Sequence, residues 1–132
     1  MNSNIPEGFE RLIKNAKFGR LPERTIQISK VTPRVTFSRD LAKFLEKYWG
    51  VELFIDRKKK IILMIPSNNE VDSFKITKPS QSAAKRSPYS CYNIFSKNFL
   101  TENIEGGIYK VRYNLGRIEF NYNLKKINLQ SI

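Results

Sequence analysis

Residues 37–65 read FSRDLAKFLEKYWGVELFIDRKKKIILMI, and residues 95–122 read FSKNFLTENIEGGIYKVRYNLGRIEFNY. Displaced by 58, Phe37 falls on Phe95, Ser38 on Ser96, Arg39 on Lys97, Asp40 on Asn98 and Leu41 on Phe99. Val51, Leu53 and Ile55 then fall on Tyr109, Val111 and Tyr113, and Asp56 on Asn114. A displacement of 57 beyond the turn puts Ile61, Leu63 and Ile65 on Ile118, Phe120 and Tyr122. Each stretch predicts a strand, an N-cap serine, a short helix, a strand, a polar turn and a strand. A unit of this size cannot bury its own apolar face, whereas two can bury theirs against each other.

Within the first stretch, Ser38 is placed to cap a helix and Asp40 to favour its dipole. Leu41, Phe44, Leu45 and Tyr48 follow at helical spacing, predicting a helix over 39–48 ended by Gly50. VELFID alternates, DRKKK is a turn, and IILMI is apolar enough for a central or doubly covered strand. Upstream, TIQISKV and RVTF read as two strands separated by Pro33, and SFKIT downstream as one more. The predicted core between the copies is Leu41, Phe44, Leu45, Leu53, Ile61, Leu63, Phe99, Leu100, Val111, Ile118 and Phe120.

The organisation expected is a basic N-terminal arm (1–24), a first repeat (25–77), a linker (78–90) rich in Ser and Pro, and a second repeat (91–132). Residues 25–132 then form one compact domain. The fold class is α+β and β-rich. Two tandem strand–helix–hairpin repeats make a pseudo-twofold interleaved β domain with two short helices and a flexible arm.

The order TIQISK…RVTFSRDLAKFLEKYWGVELFIDRKKKIILMI resembles the AbrB-type swapped-hairpin module of transition-state regulators. With NIFSKNFLTENIEGGIYKVRYNLGRIEFNY, the chain over about 25–122 is similar to small phage and prophage proteins of Gram-positive bacteria that carry two such units in tandem. The resemblance implies an interleaved β-rich fold and DNA binding by basic residues on loops and at the edge of the barrel. By position, Arg34, Arg39 and Lys97 would be the basic residues that correspond. Of the glycine–aspartate pair that such modules carry before the third strand, YWGVE keeps only Gly50.

The chain has 132 residues, 24 Lys and Arg against 12 Asp and Glu, and a net charge of +12. A domain this basic attracts polyanions or acidic proteins. There is no histidine and one cysteine, Cys91. That excludes a Cys–His pair and a zinc site built from the usual ligands, and leaves Cys91 as a core thiol. The carboxylates are scattered, and EGGIYK lacks the spacing of a phosphate-binding loop. No catalytic residue, metal or cofactor is expected. No apolar run is long enough to span a membrane. The expected location is the cytoplasm, that of the host if the protein is phage-encoded.

Four basic patches are candidates for nucleic-acid contact: Arg20 and Arg24 in the arm; Lys30, Arg34, Arg39 and Lys43; the turn Arg57, Lys58, Lys59 and Lys60; and Lys85 and Arg86 in the linker with Lys97. Tyr48 and Trp49 are candidates for base stacking. The main expectation is a non-enzymatic nucleic-acid-binding protein, with DNA ahead of RNA. The alternative is a phage protein-interaction module, such as an inhibitor of a host defence nuclease, gripping an acidic partner or competing for a nucleic-acid groove. Monomer with internal twofold and homodimer are both open.

Overall fold

The computed structural model describes residues 6–9, 21–80, 89 and 92–123. Most of the arm, including Arg20, lies outside these residues, as do Lys85, Arg86 and Cys91. The elements in order are β1 (Thr25–Ser29), β2 (Arg34–Phe37), α1 (Arg39–Leu45), β3 (Gly50–Asp56), β4 (Ile61–Ser67) and β5 (Phe74–Lys75). They continue with β6 (Asn93–Phe95), α2 (Asn98–Thr101), β7 (Gly107–Lys110), β8 (Arg112–Asn114) and β9 (Arg117–Asn121). This is the expected strand-rich α+β class with two short helices.

The strands form two antiparallel sheets. One has four strands in the order β6-β2-β1-β7, the other five in the order β5-β3-β4-β9-β8. Val111 lies where the chain leaves the first sheet after β7 and joins the second as β8. Its N–H donates to the Arg24 carbonyl at 2.9 Å.

One core joins both sheets and both helices. The four-stranded sheet contributes Ile26, Ile28, Val35, Phe37, Ile94 and Tyr109; the five-stranded sheet contributes Val51, Ile62, Met64, Ile118 and Phe120. Alternation puts these residues inside and their neighbours outside. Leu41, Ala42 and Leu45 of α1 and Phe99 of α2 complete it. The Tyr109 and Phe120 rings meet across the sheets at 5.2 Å.

α1 ends at Leu45, three residues short of the predicted Tyr48. The Lys78 ammonium donates to the carbonyls of Glu46 and Tyr48 at 2.7 and 3.1 Å, closing that end. Ser38 holds the N-cap position but makes no cap hydrogen bond. Its hydroxyl accepts from the Thr25 N–H at 3.3 Å and donates to Asp40 at 2.6 Å. The Asp40 carboxylate accepts the Arg24 N–H with both oxygens. Gly50 does not stop the helix by a left-handed turn. It opens β3, where a Cβ would lie 2.3 Å from the Phe74 carbonyl oxygen, so the backbones of β3 and β5 can approach only at a glycine.

β4 is central in its sheet, as predicted, but only its even residues Ile62 and Met64 enter the core. Ile61, Leu63 and Ile65 are half-buried on the opposite face beside Phe54, and Leu100 is exposed. Ile61, Leu63 and Leu100 therefore leave the predicted core. The second hairpin is shorter than the first by two residues, not one. Asp56 pairs with Ile61 around four turn residues, and Asn114 with Arg117 around Leu115 and Gly116. Both of the latter have positive φ, 52° and 75°, as a two-residue hairpin turn with the twist of its strands requires.

Candidate nucleic-acid interface

The outer face of the four-stranded sheet can be read from its register, because directly paired residues share a face. One row runs Ser29, Arg34, Phe95; the next runs Ile108, Gln27, Thr36, Asn93. Thr36 donates its hydroxyl to the Asn93 side-chain oxygen at 2.6 Å. Thr25 stands opposite Lys110 on the same face. Gln27, Arg34, Phe95 and Lys110 are exposed. No residue of β1, β2, β6 or β7 is acidic.

Lys30 and Lys97 flank this face at the Arg34 end. Lys30 lies in the β1–β2 turn, and the Ser96 N–H donates to the Pro33 carbonyl of that turn at 3.0 Å. That bond holds the chain entering α2 against the turn, so Lys30, Arg34 and Lys97 share one end of the sheet. Arg39 and Lys43 are exposed on α1, beyond the other end of β2, roughly 16 Å along an extended strand from Arg34. The predicted patch Lys30–Arg34–Arg39–Lys43 is thus split. Arg24 is exposed, with φ of 53° and its N–H held by Asp40.

In the Arg57–Lys60 turn, Arg57 has an acidic partner and the lysine side chains are exposed. Arg57 Nε donates to the Glu102 carboxylate at 2.9 and 3.1 Å, with Nη2 adding a further bond. This pair ties the β3–β4 turn to the end of α2, with the Arg57 side chain still 69% exposed. The hydrogen bonds and charge of Arg57 hold the Glu102 carboxyl below the usual range, and Glu102 raises the guanidinium in return. Asp56 Oδ1 accepts the N–H groups of Lys58 and Lys59, and the Lys60 ammonium stands 6.0 Å from the Tyr122 ring centre. Lys58 and Lys59 are exposed.

A lowered carboxyl pKa contributes stability above the unfolded value that is lost as pH falls through the folded one. Wild type should therefore lose an increment of stability in acid that Glu102→Gln lacks at every pH. Urea midpoints between pH 7 and pH 2 measure this. Parallel curves for the two proteins would show that the pair is not formed in solution.

Of the predicted stacking residues, Tyr48 is half-buried against the core, 6.0 Å from the Phe44 ring. Trp49 is half-buried and lines a shallow groove of about 360 Å³ with Lys75, Ile76, Thr77 and Lys78. Lys78 is committed to the end of α1. Sequence reasoning missed Phe95 and Lys110. The signal for Phe95 was available: alternation in NIF, with Ile94 inward, turns it outward.

Several carboxylates also have structural partners: Asp40 on Arg24, Asp56 on its turn, Asp72 on Asn69 and Glu102 on Arg57. Among the described residues, no helix is long and apolar enough to cross a membrane. Fold and site together define a small α+β protein with one acid-free, cation-bearing sheet face. The chain matches no protein-family model, no curated protein and no solved structure.

Proposed function

We propose that this is a non-enzymatic nucleic-acid-binding protein, of the phage-related kind that the AbrB-like pattern suggests. It would contact phosphates through Lys30, Arg34, Lys97 and Lys110, with the basic arm adding to them. The observation that carries the reading is the distribution of charge. The four-stranded sheet has no acid in its strands, whereas Glu52, Asp56 and Glu119 all lie in the five-stranded sheet. A polyanion meets attraction over the first sheet and mixed charge over the second. Phosphate contacts of this kind position a backbone and do not read sequence.

The scaffold we propose for it is a duplicated one, with a register that differs from the simple displacement of 58. At a displacement of 57, Val35, Thr36 and Phe37 correspond to Tyr92, Asn93 and Ile94. Thr36 then pairs with its own counterpart Asn93, and Val35 with Ile94, while the Phe37 N–H donates to the Tyr92 carbonyl. At a displacement of 56, Leu63 pairs with its counterpart Glu119, Ile62 with Phe120 and Met64 with Ile118. Reciprocal pairing about a self-paired residue is what a twofold relation produces.

β5 meets β3 as β1 meets β7: Val51 pairs with Phe74, and its counterpart Tyr109 with Ile26. On this reading SFKIT is the second copy's version of TIQIS. That copy then begins near Ser73, and the segment 78–90 is an insertion between its first two strands.

The test is binding across a salt series. Four phosphates neutralised give a slope of log K against log salt of about −3 on single strands, and roughly fiftyfold weaker binding at 200 than at 50 mM. Fluorescence anisotropy with labelled oligonucleotides measures it. Absence of binding at 50 mM salt would reject the reading.

A further inference from the structure

From the outer face of the four-stranded sheet we infer that Phe95 is a stacking platform for unpaired nucleotides, with Arg34 opposite it holding the adjoining phosphate. The inference rests on the nucleic-acid reading above and names the ligand class for that face.

Phe95 is 48% exposed, although Ile94 next to it is fully buried. It stands directly opposite Arg34, with side chains at the separation of a cross-strand pair. The neighbours of the ring in the two rows on β1, β2 and β6 are Ser29, Gln27, Thr36 and Asn93; the apolar residue of the second row, Ile108, lies at its far end on β7. Phe95 is also the residue by which the two copies differ here. Ser38 and Ser96 are both buried, and each donates its hydroxyl to the Asx residue two positions on, Asp40 or Asn98. In the first copy buried Phe37 directly precedes that serine. In the second, buried Ile94 is followed by Phe95 and only then by Ser96. The extra residue adds nothing to the core and places an aromatic ring beside an arginine.

The position is open to a strand of nucleic acid. β6 is last in its sheet, but Thr77 bridges its edge at Asn93 through two backbone hydrogen bonds of 2.7 and 3.0 Å, so a chain reaches Phe95 from above the outer face. Lys97 lies two residues on, and Lys30 is in the adjoining turn. A flat aromatic ring with cations beside it suits single strands, because every base has a face to stack. In a duplex the base faces are already stacked on each other, and the ring has nothing to meet. DNA and RNA share this chemistry, since the ring does not read the 2′-hydroxyl.

The experiment uses the full chain with labelled dT15, rU15 and a 15-base-pair duplex, comparing wild type with Phe95→Ala, Phe95→Trp and Arg34→Ala. Phe95 lies outside the core, so its variants should fold as wild type. Phe95→Ala should bind single strands roughly 5- to 100-fold more weakly, with duplex affinity and the salt slope unchanged. Phe95→Trp should retain single-strand affinity. Arg34→Ala should weaken all three ligands and lower the slope by close to one phosphate. A loss on only one of dT15 and rU15 supports the platform and assigns its ligand. Salt-dependent binding with Phe95→Ala equal to wild type on both single strands overturns the inference and leaves the nucleic-acid reading standing. Failure of wild type to bind any of the three ligands overturns both.

Discussion

Phe99→Ala is expected to lower the stability of the fold by about 3–5 kcal/mol, the usual cost of truncating a fully buried phenylalanine. Phe99 has no exposed surface. It lies in α2, a helix of only four residues, too short to persist without tertiary contacts. Its carbonyl accepts the Ile104 N–H at 3.0 Å, and Ile104 is buried in the same cluster. Removing the ring leaves a void and frees the segment that carries Glu102 to Arg57. A domain of this size holds roughly 5–15 kcal/mol in total, so a loss of that order moves the urea midpoint far. A cost below about 1 kcal/mol would mean that α2 is not seated in the core as described.

Gly50→Ala should be the next most damaging change, at about 1–3 kcal/mol or more. The added Cβ would sit 2.3 Å from the Phe74 carbonyl oxygen and 2.9 Å from its carbon. Both are backbone atoms, so no side chain can swing away to make room. β5 must separate from β3, taking with it the bond from the Ile76 N–H to the Trp49 carbonyl. Hydrogen exchange at Ile76 should accelerate in the variant more than exchange at Met64 in central β4. Gly116→Ala is the control, because a Cβ there meets nothing within 4 Å and only the φ of 75° opposes it. An equal, small effect at the two positions would contradict the tight β3–β5 approach.

The contrast between IILMI and its neighbours shows what the sequence can convey. VELFID alternates, and that alternation alone marks Val51, Leu53 and Ile55 as the inward set. IILMI is apolar throughout, carries no alternation, and leaves its face undecided. The choice falls to the hairpin register, and a slip of one residue exchanges Ile61 and Leu63 for Ile62 and Met64. α1 is legible from Asp40, Leu41 and Leu45, but its end depends on Lys78, more than 30 residues away in the chain. The cationic turn is legible as exposed. That Arg57 is bound to Glu102 is not, because only the folded chain brings the turn to α2. Phe95 matches Phe37 by sequence, and the two have opposite fates: Phe37 is 2% exposed and Phe95 48%. β2 turns Phe37 inward and β6 turns Phe95 outward, and similarity of letters conceals it.

Whether the four-stranded sheet is the surface that meets nucleic acid is tested most directly by repeating the salt series on two variants of equal charge. One carries Arg34→Ala with Lys97→Ala on the sheet; the other carries Lys58→Ala with Lys59→Ala on the exposed turn. The sheet variant should show a slope shallower by about 1.4 on single strands and correspondingly weaker binding, and the turn variant should remain close to wild type. Equal losses in the two variants, or a larger loss in the turn variant, would contradict the assignment of the sheet face.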